Sequence, residues 1–239
     1  MLINVAFLFF SYIAAVIATL AGFGSSTLLI PVGIMFMDAK TAIFLIACFH
    51  LFNNTFKIKA FWNKIDFKTF IFFGIPSIVF AFLGALLISK IQVDTIKKSV
   101  AVFLIIFAIY SLLKPKFAFR ETRINAILGG SLSGLLAGLI GLGGAIRSSF
   151  LIAFNLSKEV YVGTSAMIAF VIDLTRIPTY LLTDIVQDSS YYILLPFLVV
   201  SAYFGVKTGK KFLGRINQQT FRKIVLIAIL LVAVKLLFL

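Results

Sequence analysis

The fold this sequence predicts is an all-α polytopic membrane protein made of two homologous, inverted repeats. Three observations predict it. The 239-residue chain is 62% hydrophobic and only 13% charged, with 28 phenylalanines and a mean hydropathy of +1.13. Soluble domains average about 45–50% apolar and about 25% charged. Apolar runs of spanning length recur along the whole chain, at 2–20, 41–56, 69–89, 99–113, 124–142, 160–182, 190–206 and 224–239; about 20 residues of helix cross a hydrocarbon core. Finally, the chain matches itself in order when it is shifted by half its length.

The self-match runs from one end to the other. A shift of 119 positions lays Gly22 and Gly24 on Gly141 and Gly143, Asn54 on Asp173, and Lys57 on Arg176. The same shift lays Ser11, Ala15 and Thr19 on Gly130, Gly134 and Gly138. Pro76 falls on Pro196 after one insertion, and "IQVDTIKK" (91–98) matches "INQQTFRK" (216–223) at a shift of 125. The halves are 1–115 and 121–239, joined by the basic linker "KPKFAFRETR" (114–123), and together make one membrane domain.

Each half holds four transmembrane helices plus one shorter apolar segment, 25–37 and 144–156. Thirteen residues make about 20 Å of helix, too short for a hydrocarbon core of about 30 Å. Such a segment either re-enters and returns to its own side, giving parallel repeats, or completes a crossing as a broken half-helix, giving inverted ones. Loop charge arbitrates. Loop 57–68 has four lysines and one aspartate, loop 114–123 four basic residues and one glutamate, and loop 207–223 six basic residues. Loop 184–188 has two aspartates and no base. An odd number of crossings per half gathers the three strongly basic loops on one face, with both termini outside. The three lysines of loop 90–98 are the exception. The address expected is a cell membrane, multi-pass.

The formal charge of +14 does not signal nucleic acid, because the basic residues sit in short loops and no basic domain exists. One cysteine, Cys48, excludes an intrachain disulfide. One histidine without neighbouring carboxylates or thiolates is a poor metal set, so no metal is expected. The first apolar run lacks a basic flank before Lys40, unlike a signal peptide.

The embedded polar residues carry the chemistry. "AGFGSSTLLIP" (21–31) and "GLIGLGGAIRSS" (138–149) each place a glycine turn before a short helix. Free N–H groups at such a helix start, with its dipole, favour an anion, and broken helices of this kind form the substrate site in inverted-repeat transporters. The candidate substrate-binding residues here are Gly24, Ser25, Ser26, Gly141, Gly143, Gly144, Arg147 and Ser148. Gly130, Gly134 and Gly138, four apart, read instead as a helix-packing stripe. Asp173 and Arg176, three apart, share one helix face and either pin that helix or line a polar interior. In the first half, "FHLFNNTFK" (49–57) puts His50, Asn54 and Lys57 within a stripe of roughly 60°, with Asn53 beside it. Asn53 and Asn54 can donate to an oxyanion, and His50 can donate or titrate. Lys57, next to the basic loop, is expected to snorkel out to it.

The stretch "GLGGAIRSSFLIAFNLSKEVYVGTSA" (141–166) resembles the signature of the TauE/SafE sulfite-exporter (TSUP) family. Gly141, Gly143 and Gly144 form the turn; Lys158, Glu159, Gly163, Thr164 and Ser165 begin the next helix. The likeness extends over the whole chain through its duplicated halves, size and spacing. The first half departs from it, with Ser25 and Ser26 for the third glycine and Asp38-Ala39-Lys40 for Lys-Glu. The departure weights the site toward the second half. The resemblance implies a transporter of small anions, typically sulfite or organosulfonates, without a bound cofactor. Alternating access would rock one repeat against the other, with Ser165 near the turn, and a homodimer is compatible with such a chain. Asp173 and His50 are the groups that could couple protons to the movement. An anion channel or a non-transporting partner subunit is the alternative. Eight scattered acidic residues speak against a membrane enzyme.

Overall fold

The computed structural model describes residues 2–21, 24–114, 120–151, 154, 156–186, 188–213 and 217–238. Gly22, linker positions 115–119 and positions 152, 153 and 155 of the second short segment lie outside them. The described residues are helical throughout. The order is α1 (Leu2–Ala21), α2 (Ser25–Ile34), α3 (Ala39–Ala60), α4 (Phe67–Thr69), α5 (Ile75–Ile88), α6 (Val93–Leu113), α7 (Arg123–Ile140), α8 (Gly143–Leu151), α9 (Lys158–Leu182), α10 (Leu195–Phe212) and α11 (Gln218–Leu237). A π-helical turn, Phe70–Gly74, fuses α4 and α5 into one rod, Phe67–Ile88. A 3₁₀ turn, Ser189–Leu194, leads into α10.

Six helices among the described residues are long and apolar enough to cross a membrane: Ala39–Ala60, Phe67–Ile88, Val93–Leu113, Arg123–Ile140, Lys158–Leu182 and Ser190–Phe212. The chain is a multi-pass membrane protein. Helices α1 and α11 run 20 residues each. The short segments form helices of 10 and 9 residues, so neither is long enough to cross by itself.

Local signals set the helix ends. The Asp38 carboxylate accepts from Thr41 N–H at 2.9 Å to start α3, and the Thr122 hydroxyl accepts from Asn125 N–H at 3.1 Å to start α7. Gly141, at φ +74°, ends α7 in the left-handed region. Its N–H bonds Ala137 O at 3.1 Å and that of Leu142 bonds Leu136 O at 3.1 Å, which satisfies the last carbonyls and reverses the chain. Helix α8 then doubles back along α7: Ser133 Oγ donates to Gly143 O at 2.8 Å, and the Phe150 ring lies over Gly129.

The helices pack across the two halves of the sequence. Helix α5 lies on α7, α1 on α10, α3 on α9, α6 on α11 and α2 on α8. The glycine stripe makes the α5–α7 seam: Gly130 faces the Phe73 carbonyl, Gly134 that of Ser77 and Gly138 that of Ala81. Ser77 Oγ stitches the seam by donating to Gly130 O at 2.9 Å. The α1–α10 seam repeats the device with the glycines on the other partner, Gly205 against Ala15 and Gly209 against Thr19. In both seams residue numbers rise together, so each pair runs parallel. Helices α3 and α9 run antiparallel. His50 meets Asp173 midway, and the loop after α3 lies on the start of α9, where Asp66 N–H donates to Thr164 Oγ1 at 2.8 Å.

Close approach without lipid-driven burial requires small residues, so the stripe has a direct test. In Gly134→Val the new Cβ would stand on the Ser77 carbonyl oxygen. The expected cost is about 1–3 kcal/mol from overpacking, read as a lower unfolding midpoint in detergent. An unchanged midpoint would contradict the seam.

Candidate functional site

The two glycine turns meet in the middle of the protein. Gly24 precedes α2 at φ +81°. A side chain there would stand 3.4 Å from Gly144 Cα at the start of α8, 3.7 Å from His50 Nε2 and 3.8 Å from Arg147 Nη2. Two half-helix N-termini, from opposite halves of the sequence, therefore converge on one spot. A narrow cleft opens from it, lined by Gly24, Asn54, Lys57, Arg147, Tyr161 and Ser165 together with Ala18, Val162 and Ala166. It has room for little more than one water-sized group, about 10 Å³.

Arg147 is 3% exposed and Lys57 is 4% exposed. Arg147 Nε donates to Ser165 Oγ at 2.9 Å, which aims the rest of the guanidinium. Neither basic side chain forms an ion pair with a carboxylate among the described residues, which include all eight acidic ones. Lys57 does not snorkel. It is buried on the inner face of α3 and lines the cleft, so the expectation of an outward lysine is corrected.

Behind the cleft sits a charge cluster. Asp173, fully buried, receives Arg176 Nε at 2.8 Å on one oxygen and lies 2.8 Å from His50 Nδ1 on the other. Arg176 Nη1 also donates to Ala137 O at 2.7 Å, near the end of α7. Tyr180 OH donates to Gly138 O at 2.6 Å, closing the same helix end. The Asn54 amide lies 3.1 Å from His50 Nδ1. His50 Nε2 has no hydrogen-bond partner among the described residues and points toward the Gly24–Arg147 space.

The sequence-derived candidates thus separate into three groups. Gly24, Asn54, Arg147 and Ser165 line the cleft, and Gly144 and His50 flank it. Asp173 and Arg176 form the layer behind. The remainder stand away from it. Gly141 serves as the α7 cap, with Ile30 and Arg176 beside it. Gly143 packs on Ser133 and Ala137 and Ser26 is buried outside the cleft lining, whereas Ser148, whose Oγ bonds Ala145 O in its own helix, also meets the cleft-lining Tyr161. Asn53 and Ser25 are fully buried off the cleft, and their side-chain polar atoms lack a partner among the described residues. Lys57 and Tyr161 were missed. Lys57 carried a usable signal, since the half-length shift already set it opposite Arg176.

The Gly163-Thr164-Ser165 run divides its work along one helix turn. Gly163 admits the Phe61 and Lys64 carbonyls, Thr164 bonds the following loop at Asp66, and Ser165 holds Arg147. The start of α9 is thereby tied both to the cleft and to the loop after α3.

A protein of Methanocaldococcus jannaschii, described as a probable membrane transporter, is 30% identical over 154 residues, 56% of this chain and 56% of that protein. The match thus spans just over half the length of that curated relative. No solved structure matches. The profile of the sulfite exporter TauE/SafE family covers residues 7–236, nearly all of the chain. The chain belongs to the sulfite exporter TauE/SafE family of membrane transporters.

Proposed function

We propose that the protein is a secondary transporter of small anions, of the sulfite or organosulfonate class, that binds its substrate between Arg147 and Lys57. The observation that carries this is the pairing of two buried basic side chains without a carboxylate partner and two converging half-helix N-termini. Each of these features costs energy in an apolar interior and each is relieved by an anion. Ser165, Asn54 and Tyr161 surround the same space with neutral polar atoms. The narrowness of the cleft favours a compact oxyanion head over a bulky organic one. It also favours a carrier, which must open to load, over a channel held open.

The architecture we infer is a pair of inverted repeats, each with four transmembrane helices and one half-helix that completes a further crossing. What supports it is the exchange of contacts: α1 on α10 answers α7 on α5, and the equivalent helices α3 and α9 run antiparallel. An axis lying in the membrane plane relates such a pair. The moving bodies then cut across the sequence halves, because the tightest seams join a helix of one half to a helix of the other.

Counterflow in proteoliposomes tests the reading. Vesicles preloaded with sulfite, thiosulfate, sulfate or sulfoacetate should take up the labelled anion saturably. Unsaturable, voltage-driven current would make the protein a channel, and neither behaviour would leave it a partner subunit.

A further inference from the structure

We propose that each anion crosses together with one proton, held on His50 Nε2. The inference rests on the anion-transport reading above and names its coupling ion.

The geometry defines where the proton goes. Arg176 holds the Asp173 carboxylate anionic through a 2.8 Å bond. His50 Nδ1, 2.8 Å from the other oxygen, is therefore the donor of that contact. This tautomer leaves Nε2 bare when the ring is neutral. Nε2 is buried, lacks a partner among the described residues and faces the space above Gly24 that Arg147 Nη2 also faces. A substrate oxygen in that space would stand between the guanidinium and the imidazole. With a proton on Nε2 the ring donates to that oxygen; without one, two lone pairs oppose each other.

The charges around the ring make the two events interdependent. Facing it are Asp173 and Arg176 from α9, Arg147 from α8 and, further along α3, Lys57. Tyr161 lies across the cleft and Tyr180 one turn beyond Arg176. Without an anion, a proton on Nε2 meets the positive guanidinium of Arg147, and like charge opposes it. With a dianion bound, the proton, Arg147 and Lys57 all have a counter-charge. The anion thus raises affinity for the proton, and by reciprocity the proton raises affinity for the anion. Lys57 is the rival carrier. It lacks what His50 has, a carboxylate built against it: Asp173 is the only buried carboxylate among the described residues.

The step balances simply. Neutral His50, one proton and the anion combine on the loading side. The imidazolium and anion separate on the other side, the proton leaving from Nε2.

Proteoliposomes with a pH-sensitive dye in the lumen read this directly. The probes are thiosulfate, sulfate and sulfoacetate, none of which itself binds a proton near neutral pH. Inward anion gradients should acidify the lumen, with uptake increasing as the outside is made more acidic. In His50→Gln the remaining uptake should carry no proton and lose that pH dependence, whereas in Lys57→Met the proton-to-anion ratio should persist in whatever flux remains. Calorimetry on the wild-type protein, in two buffers of different ionisation heat, should give about one proton taken up per anion bound. Uptake without acidification, or zero protons by calorimetry, overturns coupling while leaving the transporter reading intact. Acidification that persists in His50→Gln and disappears in Lys57→Met overturns the assignment to His50. Failure of all three anions to enter or bind overturns the anion reading itself.

Discussion

Arg147→Ala is expected to weaken anion binding by about 10- to 150-fold, the equivalent of one charged hydrogen bond of about 1.5–3 kcal/mol. The same substitution should raise the melting temperature of the anion-free protein. Arg147 is a guanidinium 3% exposed, with Ser165 as its hydrogen-bond partner and no carboxylate in ion-pair range among the described residues. Burying it without a counter-charge costs the apo fold, so its removal should help when no anion is present. The opposite signs are the point of the experiment. A residue with a purely structural role would lose stability and binding together. Arg147→Lys should fall between, keeping the charge but losing the planar fork that reaches Ser165 and the cleft at once. Thermal shift with and without anion reads both quantities. A fall in apo stability with unaltered anion response would remove Arg147 from the site.

Asp173→Asn should be the most damaging single change to the fold, at about 3–5 kcal/mol. The carboxylate is fully buried and takes bonds from Arg176 Nε and His50 Nδ1. Its neutral replacement leaves Arg176 charged, with the Ala137 carbonyl and the neutral Tyr180 hydroxyl beside it but no counter-charge. Because the loss comes from a stranded charge, a second change should recover much of it. Asp173→Asn combined with Arg176→Gln is expected to unfold at a higher denaturant concentration than Asp173→Asn alone. Equal or worse stability of the double variant would show that the pair does not act as a unit.

These expectations depend on partners that a linear sequence exposes unevenly. The glycine turns, the stripe of Gly130, Gly134 and Gly138, and the Asp173–Arg176 pair are local, periodic signals, and they could be read directly. The apolar runs gave the helices for the same reason. His50 and Asp173 are 123 residues apart, and no periodicity links them; only the packing of α3 on α9 brings them together. Lys57 was misread because adjacency to a basic loop is a one-dimensional cue, whereas burial depends on which face of α3 turns inward. The meeting of Gly24 with Gly144 was likewise hidden. Each turn announces itself, but nothing in either says that it ends against the other.

The exchanged seams also bear on the order in which the chain is made. Helix α7 emerges soon after α5 and can pair with it almost at once. Helix α1 must wait for α10, whose first residue comes 174 positions after Ala21 (195 − 21). At about 5–20 residues per second, that is roughly 9–35 s without its seam partner. Its seam face is polar enough to make the wait costly, yet Ser11 Oγ donates to Leu8 O at 2.7 Å and Thr19 Oγ1 to Ala15 O at 2.8 Å. Both hydroxyls are satisfied inside α1 itself. Helix α1 thus carries its own hydrogen bonds while its seam partner is still being translated.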